Sequence, residues 1–174
     1  LIEYRSIHEH SIEFRESHGV NTEWGQFTLH TFRDLIDDTV HFAVQRGSHV
    51  SDAPIPVRVQ PVNTLRDVLG TTVVDGTAGW SYRSAMQHIA EQDRGIVVMV
   101  GQPNDADALL DDVHQFLATG SPPPAPQNYR LIGTGAQILR HLGVEKMQLL
   151  SAPLKFNALS GFNLEITEFI SEPR

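Results

Sequence analysis

The reactive stock of this 174-residue chain is nine histidines, twenty-one acids, thirteen Lys and Arg residues and no cysteine. Without thiols there can be no disulfide, no thiolate metal site and no cysteine nucleophile. The histidines are scattered and never take the H-E-x-x-H spacing that places two imidazoles on one helical face. His8 and His10 would share one side of an extended segment and could begin a metal site. No third ligand lies near them in sequence, so a solvated connector is the plainer reading. Gly133 to Gln137 (GTGAQ) has the glycines of a phosphate loop but not the Lys and Ser/Thr that would hold phosphate and Mg²⁺. No G-x-S-x-G nucleophile elbow occurs.

Charge narrows the partners. The formal charge is -8, the wrong sign for non-specific binding to nucleic acid. A polyanion is repelled overall, although a local basic pocket could still hold one. No apolar run is long enough to cross a bilayer as a helix, and no signal-peptide pattern is present. With 40% apolar and 20% charged residues, the chain suits one soluble α+β domain with a sizeable core. The cytoplasm is the expected compartment. The chain starts at Leu1 inside what reads as an amphipathic helix, as a piece cut from a longer protein would.

The elements that must position any site follow from periodicity. Residues 1–18 read as a helix end and then a strand. Gly25 to Arg33 and Thr39 to Val44 alternate apolar and polar residues, the period of half-buried strands. Ile55 to Val62 is a third strand, where Pro56 and Pro61 predict an edge or an irregular end. The first half is thus expected to be an antiparallel β region. After Gly79 the pattern changes to alternating helices and strands. Ser81 can cap a helix from Tyr82 to about Gln92, and Ile96 to Val100 is a continuous apolar run of the kind covered on both faces. Asn104 can cap a second helix, on which Leu109, Leu110, Val113, Phe116 and Leu117 form a stripe. Ala118 to Gln127 is rich in proline and reads as a loop, with recognition by an SH3-like partner as the sharper alternative. A helix over Thr134 to Leu142 closes at Gly143. Strands at Met147 to Leu150 and Asn163 to Phe169 follow, with a short helix around Leu154 to Leu159 between them.

Four stretches in this order carry a resemblance: DVLG-T at Asp67 to Thr71, IAEQDRGIVVMVGQ at Ile89 to Gln102, GTGAQILRHLGVEKMQLL at Gly133 to Leu150, and the tail from Ala152 to Ile170. Together they resemble GTP cyclohydrolase II over nearly the whole chain. LIEYRSIHEH at the start is similar to the junction in fused proteins with a 3,4-dihydroxy-2-butanone 4-phosphate synthase domain upstream. The resemblance therefore divides the chain into a linker, 1–20, and a GTP cyclohydrolase II-like domain, 21–174. It implies riboflavin biosynthesis, with GTP opened at its imidazole ring and formate and pyrophosphate released. It also implies a homodimer, and a zinc-bound water held by three Cys thiolates and brought toward neutral pKa by the metal.

The residues that would do this chemistry are replaced. On the family's R-V-H-S-E-C-L-T-G-D motif, which begins here at Arg58, the first Cys position is Asn63. The other two become Val74 and Gly76, which have no donor atom; an amide oxygen is a poor zinc ligand beside thiolate or imidazole. A structural zinc contributes about 10–16 kcal/mol in zinc-finger peptides, so this loop must be held otherwise, and burial of Val62, Val73 and Val74 is the expected means. The family's phosphate-facing R-Q-E-G-R-x-x-G corresponds to Gly101 to Ala108, which has no cation. Asp105, Asp107, Asp111 and Asp112 crowd there instead, each adding about 1 kcal/mol of repulsion to a phosphate charge roughly 4 Å away even in water. The family's catalytic Asp-x-Arg-Asp-Tyr corresponds to Ala125-Pro126-Gln127-Asn128-Tyr129, so the Asp and Arg that the resemblance implies act on substrate are missing.

Arg58, Asp67, Asp75, Tyr129 and Lys155 survive. Arg58 and Lys155 are the candidate substrate-binding residues, able to hold a sugar phosphate or small nucleotide. The plainer alternative puts them on a solvated rim, with Asp67 and Asp75 fixing turns. The expectation is a degenerate domain, a pseudoenzyme with no metal, cofactor or catalytic residue, that serves an upstream synthase. The rivals are a hydrolase still acting on GTP and a module binding a small phosphate ligand.

Overall fold

The computed structural model describes residues 11–48, 53–72, 79–103, 105–120, 129–153 and 160–173. The short helix expected around Leu154 to Leu159 and the proline-rich stretch from Ser121 to Gln127 lie outside them, as do His8 and His10.

Seven strands form one mixed sheet: β1 (Ile12–Thr22), β2 (Gly25–Asp34), β3 (Val40–Arg46), β4 (Ile55–Pro61), β5 (Gly95–Val100), β6 (Lys146–Leu150) and β7 (Glu165–Ile170). Their order is β1-β2-β3-β5-β4-β6-β7. The first three strands are an antiparallel meander, and β3 pairs antiparallel with β5. From β5 outward the pairing is parallel through β4, β6 and β7. Residues 12–20, read in the sequence as linker, are paired along β2 as most of β1.

Of the two readings its prolines offered, an edge or an irregular end, β4 excludes the edge. It is an inner strand, parallel to both neighbours. It pairs with β5 over Val57 to Pro61 and with β6 over Ile55 to Val57. Pro56 thus precedes the β5 ladder and Pro61 follows the β6 ladder, so each missing N–H falls where one neighbour is absent.

Helices α1 (Tyr82–Gln92), α2 (Ala106–Thr119) and α3 (Tyr129–His141) complete the fold. Ser81 caps α1 in a reciprocal capping box with Ser84. α1 buries Ala85, Met86 and Ile89 against Phe27, Val44, Val97 and Met99 on one face of the sheet. α3 covers the other face, packing Ala136, Ile138 and Leu139 on Ile55, Val57, Ile96 and Val98. Both faces of β4 and β5 are therefore buried, which explains the unbroken apolar run of β5. α3 begins five residues earlier than expected and takes in Gly133 to Gln137, so that motif is helix and not a phosphate loop. Gly135 allows close approach: a Cβ there would stand 2.7 Å from Val59 Cγ1.

α2 differs from the other two helices. Its cap is Asp105, whose carboxylate accepts from Asp107 N and Ala108 N, one residue beyond Asn104, which lies outside the described residues. No residue of α2 is buried.

Candidate functional site

In sheets with parallel strands, ligand crevices open at the carboxyl ends of the strands. Here β4 and β5 finish side by side, joined by Val62 N donating to Val100 O at 3.0 Å. A one-turn π-helix, Thr64–Val68, follows β4, and the segment leading to α2 follows β5.

Asn63 caps the π turn with its side-chain oxygen, which accepts from Arg66 N at 3.0 Å. Asp67, only 4% exposed at its side chain, gathers four donors. Its Oδ2 accepts from Gln60 Nε2 at 3.0 Å and Asn63 N at 3.2 Å. Its Oδ1 accepts from Tyr82 N and Arg66 Nε, both at 3.2 Å. The carboxylate thus ties the π turn to the first residue of α1, where the helix dipole also favours an anion. With all of its acceptor directions used, it is not an open base. Burial of Val62, expected to hold this segment, is not what the structure shows: Val62 is 39% exposed. Polar bonds to Asp67 hold the segment in its place.

Arg58 lies beneath this cluster. Its Nε donates to Gln60 Oε1 at 3.0 Å, Nη1 to Leu150 O at 3.0 Å and Nη2 to Trp80 O at 2.9 Å. One guanidinium therefore joins β4, the end of β6 and the entry to α1. Burial, and then the charge of Arg66, lower its pKa to about 10, with Asp67 and Glu172 opposing. It stays charged at neutral pH. Trp80 is fixed from the other side by Nε1 donating to Ile170 O at 2.7 Å. Gln60, 1% exposed, completes the chain from Arg58 to Asp67. A buried glutamine satisfied on both sides has no distinctive sequence signal.

Lys155, Asp75, Val73, Val74 and Gly76 lie outside the described residues. Tyr129 is the first residue of α3. Two open grooves occur among the described residues, one around Gly19, Gln26, Thr28 and Gln45 and one around Arg15, Thr31, Arg33 and Asp38. Neither is lined by Arg58. No group of three or more His, Asp or Glu side chains among the described residues is arranged to hold a metal ion.

A second buried cluster stands at the same end of the sheet. His41, 1% exposed, accepts from Gly101 N at its Nδ1, 2.9 Å away. The proton must then sit on Nε2, which has no hydrogen-bond partner among the described residues. Asp34 Oδ2 is 3.9 Å from it, and the carboxylate favours a proton on the ring. Burial lowers the His41 pKa, against the pull of Asp34. A histidine held neutral stabilises the fold above its ordinary value near 6.5, and that stability is lost as pH falls through and below it. Urea midpoints should therefore drop between pH 7.5 and pH 5.5, and His41→Gln should flatten that part of the dependence. An unchanged slope in the variant would show that other groups set it.

Comparison with known proteins agrees with this architecture. The family model for GTP cyclohydrolase II matches residues 13–171. The chain belongs to the GTP cyclohydrolase II family. It is 42% identical over 171 residues to a Pseudomonas aeruginosa protein named 3,4-dihydroxy-2-butanone 4-phosphate synthase, covering 98% of this chain and 46% of that one. It is 32% identical over 180 residues to the riboflavin biosynthesis protein RibBA of Cytophaga hutchinsonii, covering 98% and 44%. The crystal structure of RibBX, a two-domain 3,4-dihydroxy-2-butanone 4-phosphate synthase from A. baumannii, matches with a TM-score of 0.67 and 33% identity, over 97% of this chain and 43% of that one. The chain spans about half the length of the curated relatives it matches. The fold is α+β with a mixed seven-stranded sheet, within a family tied to riboflavin biosynthesis. No described helix is long and apolar enough to cross a membrane.

Proposed function

We propose that this domain is a catalytically degenerate GTP cyclohydrolase II-like module, a cytoplasmic homodimer that serves a 3,4-dihydroxy-2-butanone 4-phosphate synthase domain upstream in the same polypeptide. Its role there is structural, dimerising or regulatory. The observation that carries this reading is the use made of Asn63 and Asp67. The side chain at the family's first Cys position caps its own turn, and the nearby carboxylate is filled by four donors. Such a cluster holds a loop and offers no hard or soft ligand to a zinc ion. Val74 and Gly76, at the other two Cys positions, bring no donor atom. Arg58 in this reading is a strut, because its guanidinium already serves two carbonyls and an amide. Relatives named for the synthase, twice as long as this chain, support a neighbouring synthase domain.

Calorimetry and turnover assays separate this from its rivals. GTP should give no binding heat and no formate, and ribulose 5-phosphate and flavins should likewise give no heat. Formate release from GTP would restore the hydrolase. Saturable heat from a phosphate ligand without turnover would favour a binding module, with Lys155 as the cation to replace first.

A further inference from the structure

Exposed large apolar side chains occur at the β2–β3 turn, after β4 and on α2. Leu35, Ile36 and Val40 sit at the turn joining β2 to β3, with Phe42 just inside it. Val62, Val68 and Leu69 follow β4, and Leu109, Leu110 and Leu117 are on α2. β3 runs antiparallel to β5, so the start of β3 meets the end of β5. An exposed apolar stripe along one element calls for something to cover it. α2 is the strongest case. Leu110, 57% exposed, and Leu117, 74% exposed, are seven residues apart on one side of a two-ended helix with no buried residue. Seven residues is the repeat of a helix-pairing seam.

The charges on α2 select the occupant. Asp105, Asp107, Asp111 and Asp112 all fall in its cap and first half, while residues 114–119 contain no acid. Among the described residues none of these four carboxylates is in an ion pair. A parallel copy would bring eight carboxylates together. An antiparallel copy sets each acidic half against an acid-free half and opposes the two helix dipoles. Two-fold symmetry produces that arrangement, because residue i then meets j while j meets i.

We propose that α2 is the two-fold seam of a homodimer, lying antiparallel on the α2 of a second copy through Leu110 and Leu117. This rests on the dimeric reading above and adds the surface, the orientation and the register. The midpoint of Leu110 and Leu117 falls between Val113 and His114, so those two residues lie beside the axis.

Sedimentation of the purified chain should give twice its 19.4 kDa mass. Leu110→Glu and Leu117→Glu should each raise the dissociation constant by at least about 100-fold, since two carboxylates per dimer would be desolvated. Both positions are exposed, and circular dichroism should show unchanged helix and sheet. The chain has no cysteine, so His114→Cys supplies a single thiol that should cross-link to its own copy on mild oxidation. Asp107→Cys, far from the axis, should not. A monomer at every concentration would overturn the proposal and leave the face to a foreign partner. So would a dimer that both Glu variants leave intact, or one in which Asp107→Cys cross-links and His114→Cys does not. The assays with GTP report on the strand ends and not on this seam, so either result can fail alone.

Discussion

Replacing Arg58 with methionine is expected to lower the unfolding free energy by about 2–4 kcal/mol, with no phosphate binding in either the parent or the variant. The substitution keeps apolar volume but strips the donors from Leu150 O, Trp80 O and Gln60 Oε1. A buried acceptor left unpaired costs about 1–3 kcal/mol. The three bonds cross from β4 to β6 and to the entry of α1, so their loss should also release Asp67 from its Gln60 donor. In a domain of this length the melting temperature should fall by roughly 5–15 °C. Thermal unfolding beside calorimetry with inorganic phosphate reads both halves of the expectation. A variant that melts normally but loses phosphate affinity would make Arg58 a ligand-binding residue instead.

A larger effect is expected from Gly101→Ala. The added Cβ would lie 2.1 Å from Val40 O, a backbone atom, and 3.6 Å from His41 Nδ1. Neither strand can retreat cheaply, because Val40 is paired with Arg33 in the meander. The neighbouring peptide must move, and the Gly101 N–H would leave its buried acceptor on His41. Overpacking and a lost buried bond together should cost about 3 kcal/mol or more. Gly133→Ala is the control. Among the described residues nothing lies within 4 Å of a Cβ there, and alanine inside a helix gains about 0.5–1 kcal/mol over glycine. Urea denaturation of the two variants should move in opposite directions. Equal behaviour would mean that the contact between Gly101 and Val40 does not constrain the loop.

Much of the fold was legible because local pattern and tertiary environment agree. Alternation marked β2 and β3, the run from Ile96 marked a doubly covered strand, and Ser81 marked the start of α1. β4 was misplaced because Arg58, Gln60 and its prolines have the pattern of an edge strand. Its polar side chains are in fact satisfied within the protein, and its prolines stand at the ladder ends. That distinction depends on Trp80 and Leu150, which are 22 and 92 residues from Arg58. Asp67 was legible as a turn-fixing residue, but Gln60 was not, and nothing in the sequence linked His41 to Gly101. These contacts join segments through side chains that have no shared motif. The stripe on α2 was visible as a helix pattern. That it faces outward was not, since periodicity identifies an apolar face without identifying what covers it.

In the function proposed above, this chain keeps the sheet of the GTP cyclohydrolase II family and uses the strand ends for structure in place of zinc chemistry. Metal analysis tests it most directly. The purified protein, incubated with excess zinc and then desalted, should retain no stoichiometric zinc and should melt at the same temperature as the untreated protein. One tightly held zinc per chain, with a rise in melting temperature, would contradict the account.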